Sequence, residues 1–212
     1  VLNEINALLL EIYHASQNTS LSEFPDQVFS LIKKQINFDS GGFCDFSNSP
    51  TCEIKLVSAA AYNVSTYDKL SARQEYIEQE MVQGHNKLAS ADPSLVQAYK
   101  NKGVAVSLSL NDKGIKSNVI AYGKKTDSFQ TLTMVLVPPI RNRFQTISLW
   151  RRKNNVEYVQ ADNAKANVIL PHIFQAFSIN RQIHSISAAN SPANGSAICS
   201  ILGNILFIDE VA

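Results

Sequence analysis

The sequence predicts an α+β fold in which an antiparallel sheet of about four or five strands is flanked by helices. Two runs of strand-forming residues, 132–137 and 144–151, are joined around Pro138-Pro-Ile-Arg-Asn, the pattern of adjacent antiparallel strands. Apolar residues recur at helical spacing near both ends of the chain. An apolar content of 45% in 212 residues is enough to fill one large core.

In chain order, Leu2, Ile5, Leu8, Leu9 and Ile12 form one apolar stripe and predict a first helix, ended by Ser16-Gln-Asn-Thr-Ser. Ser22 is a candidate cap for a second helix, whose first turn tolerates Pro25 and whose buried side carries Val28, Leu31, Ile32 and Ile36, with Asn37 as its stop. Phe38-Asp-Ser-Gly-Gly-Phe-Cys-Asp-Phe leads into a short strand; Ser47-Asn-Ser-Pro turns the chain, and residues 53–61 return as a second strand. Residues 68–83 are rich in helix formers and end at Gly84. Asp92-Pro-Ser opens a further short helix, with Pro93 at its first position and Gly103 beyond its end. Residues 104–110 alternate as a strand, the stretch up to Phe129 has no clear period, and the two strands named above follow. Asp162 is the expected cap of a long final helix, where Val168, Ile169, Ile173, Ala176, Phe177, Ile183 and Ile186 spread over more than one stripe and predict cover on two sides. A linker rich in Ala, Asn, Ser and Pro, residues 188–197, separates domain 1–187 from residues 198–212, which read as the start of a second domain cut short.

The net charge of +1 supplies no field toward nucleic acid, anionic lipid or acidic substrates. Three irregularly spaced cysteines, Cys44, Cys52 and Cys199, give no disulfide framework, and no apolar run reaches the roughly 20 residues of a membrane span. Sequons at Asn18, Asn63 and Asn194 stand without other signs of secretion. The expected setting is the cytoplasm. No nucleophile elbow or phosphate loop is present, Gly41-Gly42 is a doublet before a strand, and the four histidines lack ligand-like companions. The expectation is a non-enzyme with no metal and no cofactor.

The final helix contains Pro171 next to His172. A proline inside a helix removes one hydrogen bond and crowds the carbonyl four residues back, here that of Asn167, so a bend or a fresh start is expected. His172 is read as structural, bonding to a loosened carbonyl or to the sheet.

Phe38-Asp-Ser after an amphipathic helix, Trp150-Arg151 at a strand end, and Leu170-Pro-His-Ile-Phe-Gln-Ala-Phe leading to Asn180-Arg-Gln-Ile resemble the N-terminal sensor domain of LuxR-type helix-turn-helix transcription regulators. The resemblance spans roughly residues 31–183 and is carried by its two ends, with Asn37-Phe-Asp where that family's pattern has Gly-Phe-Asp. It implies a GAF/PAS-like fold, a small-molecule ligand, a homodimer, and a DNA-binding domain outside these residues. No helix-turn-helix segment is visible in the sequence.

On that reading the ligand pocket is expected between the sheet and the middle helices, where Phe43, Tyr62, Tyr67, Tyr76, Met134 and Arg151 are the candidate lining residues. Strand alternation puts Arg151 with Ile147 and Leu149, facing a carboxylate, a helix end or an anionic ligand, and Trp150 with Thr146 and Ser148 on the other face. A helical layer, in a dimer or within one chain, is the expected cover for Trp150. Arg141, Arg143, Arg151, Arg152 and Lys153 gather at the hairpin's ends and read as a solvated rim. The rival functions are a ligand-free dimerisation scaffold, which requires a filled pocket, and a small-molecule enzyme, which requires clustered titratable groups.

Overall fold

The computed structural model describes residues 2–48, 54–64, 93–138, 142–189, 197–199 and 205–208. The expected helix at 68–83, the cap Asp92, and Tyr67, Tyr76 and Arg141 lie outside the described residues. In chain order the elements are α1 Leu2–Asn18, α2 Phe24–Lys33, β1 Ser40–Asn48, β2 Ile54–Tyr62, α3 Pro93–Lys100, β3 Val106–Ser109, α4 Ser117–Lys125, β4 Gln130–Leu136, β5 Arg143–Arg151, α5 Gln160–Ala189, β6 Ala197–Cys199 and β7 Ile205–Ile208. The first five strands form one antiparallel sheet in the order β2-β1-β5-β4-β3, and β6 pairs with β7 in a separate two-stranded sheet. The expected α+β class is therefore the observed one.

One face of the sheet carries Gly41, Phe43 and Asp45 of β1, Gln145, Ile147, Leu149 and Arg151 of β5, and Leu132 and Met134 of β4, aligned by the antiparallel register. Helices α1, α2 and α5 pack there, and Phe43, Leu132, Met134, Ile147 and Leu149 are fully buried against Ile12, Phe29, Ile173 and Phe177. Gly41 makes room for α2, since a side chain there would come within 2.8 Å of the Phe29 ring. Each Phe in this layer removes on the order of 150–250 Å² from water, so the aromatic set dominates the cohesion of the helical layer.

The seam between α1 and α5 is closed by a polar row. His172, Asn180 and His184 recur at multiples of four residues on α5 and so share a face. Nδ1 of His172 pairs with the Tyr13 hydroxyl at 2.8 Å, and Nε2 of His184 donates to the Thr19 carbonyl at 2.9 Å. Asn180 donates to the carbonyls of Ser16 and Thr19 at 3.1 and 2.7 Å. The partner of His172 is the first helix and not the bend carbonyl or the sheet that was expected.

Other local expectations need correction. Helix α5 runs through Pro171 as one element and does not begin anew there. It starts at Gln160, two residues before the expected cap; Asp162 occupies the first turn, where its carboxylate accepts the Val159 N–H at 3.1 Å, the reaching-back half of a capping box. Ser20, not Ser22, organises the entry to α2: its hydroxyl donates to the Glu23 carboxylate at 2.7 Å and accepts the Glu23 N–H at 3.3 Å. The stretch without a clear period contains α4, which lacks a side-chain cap and carries Gly123 because a Cβ there would collide with Leu110 and lie 2.8 Å from the Ser128 carbonyl.

Candidate ligand face

The second face of the sheet has a different composition. Its rungs, read across β4, β5 and β1, are Thr131, Trp150 and Ser40; Thr133, Ser148 and Gly42; then Val135, Thr146 and Cys44, with Phe144 and Phe46 paired below. At the lower end Phe46 and Phe144 stack at 5.0 Å, and Tyr99 of α3 meets Phe144 edge-on at 5.2 Å. Ala98 and Val135 complete this small second core under α3. At the upper end the indole of Trp150 lies against Gly42, where any Cβ would come within 2.8 Å of it. Glycine is required at that position because the ring occupies the space of a side chain.

Between the two aromatic ends lies a floor of small groups: Gly42, Cys44, Thr133, Thr146 and Ser148. Thr133 and Thr146 are buried, while Cys44, Ser148 and Trp150 are half-buried. The hydroxyls of Thr133 and Ser148 bond to each other at 3.0 Å. Six residues of β5 separate Trp150 from Phe144, about 20 Å along the strand, which is the length of a small amphiphilic molecule. The arrangement offers hydroxyls and an indole at one end and stacked phenyl rings at the other. Among the described residues the groups with displaced titration, Tyr158 and Arg181, lie elsewhere, and no His, Cys, Asp and Glu cluster of metal-binding kind occurs.

No protein-family model and no curated protein sequence matches the chain. Solved structures do. The N-acylhomoserine lactone dependent LuxR family transcription factor CepR2 of Burkholderia cenocepacia is similar at a TM-score of 0.58 and 10% identity, over 82% of this chain and 93% of that one. Escherichia coli SdiA is similar at 0.57 and 12% identity, over 93% of this chain and 73% of that one. The ligand-binding domain of VqsR from Pseudomonas aeruginosa gives 0.53 and 12%, over 84% and 95%. The chain has the fold of a LuxR-type ligand-binding domain.

On this LuxR-type scaffold the residues expected to line a pocket separate by strand alternation. Phe43, Tyr62 and Met134 all sit in or against the core on the α1, α2 and α5 side. Phe43 stacks on Phe177 and meets Phe174 at a tilt, with centroids 6.0 Å apart, and Tyr62 lies 5.6 Å from Phe29. Met134 is fully buried. These three fill space in the layer under α1, α2 and α5.

Arg151 meets a carboxylate and the start of a helix. Only 4% exposed, it donates to the carbonyls of Asn37 and Val156 at 2.8 and 2.9 Å and to Asp162 at 3.2 Å, while its guanidinium covers the Tyr158 ring at 3.8 Å. Burial raises the Tyr158 hydroxyl above the ordinary tyrosine range, with Arg151 opposing the shift. This cluster joins the end of α2, the end of β5 and the first turn of α5, the segments that carry the LuxR-type sequence resemblance. Asp39 of the Phe38-Asp-Ser motif belongs to the same joint, its carboxylate accepting the Arg152 N–H at 2.8 Å and the Asn155 amide. The other described arginines of the rim are paired too, Arg143 with Asp45 and Arg152 with Asp127.

The ligand-face floor was not singled out from the sequence because small side chains carry no chemical label there. The one available signal was Trp150 alternating with Ser148 and Thr146, a large aromatic on a face of small polar groups.

Proposed function

We propose that this chain is the ligand-sensing, dimerising domain of a transcriptional regulator, whose DNA-binding domain lies outside these residues. The observation that carries the reading is the small, hydroxyl-bearing floor between Trp150 and the Phe46–Phe144 stack, on a sheet whose other face is already filled by helices. On this reading the ligand is a small amphiphile, its polar head near Thr133, Ser148 and Trp150 and its apolar tail toward Phe46, Phe144 and Tyr99. CepR2 is described as N-acylhomoserine lactone dependent, and SdiA has been seen in complex with octanoyl-rac-glycerol, both molecules of that kind. Binding biases the position of α5, which leads out of the domain, and Pro171 is the hinge through which the change passes. Among the described residues no helix is long and apolar enough to cross a membrane, in keeping with a cytoplasmic regulator.

Native mass spectrometry of the protein purified from its source tests both parts. A dimer carrying extra mass of a few hundred daltons is the expected result. A dimer without bound mass, under conditions that retain ligand on CepR2, supports the scaffold reading instead, and a monomer removes the dimer.

A further inference from the structure

A second polar feature lies on the opposite side of the sheet from the ligand face. Asp45 of β1 is buried, and its side chain is flanked by Arg143 of β5 and Arg181 of α5. Both guanidiniums reach the same carboxylate oxygen, Oδ2, at 3.3 and 3.4 Å, while Oδ1 has no hydrogen-bond partner. A bridge optimised for holding the fold would use the fork of one arginine on both oxygens at about 2.7–2.9 Å. Here two cations crowd one acceptor, and among the described residues Arg143 bonds only to Asp45, and Arg181 only to Asp45 and Ser58.

Arg181 is nonetheless held in place. It donates to the Ser58 hydroxyl at 2.9 Å, and its guanidinium lies 5.0 Å from the centre of the Phe43 ring. An open groove runs beside it, lined by Gln145 of β5 and by Ser178, Arg181, Gln182 and Ser185 of α5. The lining side chains other than Arg181 are neutral hydroxyls and amides, and two guanidiniums against one carboxylate leave the cluster with an excess positive charge.

We propose that the groove between α5 and β5 is a binding site for a small oxyanion, a carboxylate or a phosphate group, with Arg181 as the fixed donor and Arg143, Ser178 and Gln182 closing around it. The half-exposed guanidiniums supply charge, the fixed position of Arg181 lowers the ordering cost, and the hydroxyl and amide groups supply further donors. An oxyanion bound there bridges a strand to the last half of α5 and so holds the outgoing helix against the sheet. The site does not depend on the ligand-face reading, since it uses other residues on the other face.

The test is thermal denaturation of the whole chain in sodium phosphate against sodium chloride at matched ionic strength, for the wild type, Arg143→Gln and Gln182→Glu. Phosphate is expected to raise the wild-type melting temperature by about 2 °C or more beyond chloride. Arg143→Gln should lose at least half of that excess. Gln182→Glu, which sets a carboxylate in the groove, should lose most of it. No excess in the wild type overturns the proposal. So does an equal excess in all three proteins, because phosphate stabilises folded proteins generally by exclusion from their surfaces. Amide chemical shifts on titration with phosphate give a readout that needs no variant: changes confined to residues 178–185, Arg143, Gln145 and their immediate neighbours support the site, and changes elsewhere or none oppose it.

Discussion

The ring of Phe43 on β1 stacks on that of Phe177 on α5 with centroids 4.1 Å apart and planes 17° from parallel. Phe177 also meets Phe24 of α2 edge-on at 5.0 Å, so one side chain of the Leu170-Pro-His-Ile-Phe-Gln-Ala-Phe motif joins the sheet to two helices. Phe177→Ala is expected to destabilise the domain by about 3–5 kcal/mol in urea unfolding. Ligand affinity of the remaining folded protein should change little, because the pair lies on the far side of the sheet from the proposed ligand. A loss below about 1 kcal/mol would show that this layer is not the main core.

Arg151 satisfies two carbonyls and one carboxylate at a buried joint. Arg151→Met keeps much of the side-chain volume but leaves the Asp162 carboxylate, itself only 17% exposed, without its cation. The expected cost is about 3–5 kcal/mol, read as a shift of the urea midpoint at unchanged slope. The double variant with Asp162→Asn should recover part of it, since the stranded charge is then gone.

Tyr158 supplies a prediction about alkaline pH. Its buried hydroxyl is an acid whose folded pKa lies above the ordinary value of about 10, so between those two values the unfolded chain has released a proton that the folded chain keeps. Stability is therefore complete below pH 10 and falls as pH rises beyond it. Tyr158→Phe should flatten that fall. At neutral pH the substitution should cost less than about 1 kcal/mol, because the hydroxyl has no hydrogen-bond partner to lose. Urea titrations of both proteins at pH 7 and pH 11 check the two statements together.

Pro171 lies inside the helix that carries the His172, Asn180 and His184 contacts to α1. If it is the hinge of the output helix in the proposed regulator, Pro171→Ala will change reporter output or the dimer dissociation constant while the domain stays folded. Unchanged dimerisation and output would remove the hinge.

Much of the fold was legible because binary patterning is strong where it matters. The alternation through residues 144–151 put Arg151 and Trp150 on opposite faces, and the register of β5 with β1 and β4 agrees with it. Helix α4 was hidden because Gly123 weakens its helical signal for a tertiary reason, the close approach of Leu110. Ser22 was expected to cap α2, whereas the N-cap position is held by Glu23, which Ser20 three residues earlier binds through both carboxylate and N–H. The expected lining residues were chosen on a signal that does not discriminate. Large aromatic and sulfur side chains suit a pocket and a core equally well, and in this protein Phe43 and Met134 are core. The floor of the proposed ligand face is made by small side chains, and the space at Gly42 is taken by the Trp150 indole.

Trp150 is the chain's single tryptophan, so its fluorescence reports on the ligand face without labelling. The direct test is therefore its emission during titration with acyl-homoserine lactones of increasing chain length and with octanoylglycerol. The account predicts a saturable spectral change with at least one of them, and its loss or marked weakening in Gly42→Ala, where the new methyl group displaces the indole. An emission spectrum unmoved by every one of these amphiphiles, or one that responds equally in Gly42→Ala, would contradict the claim that this face binds such a ligand.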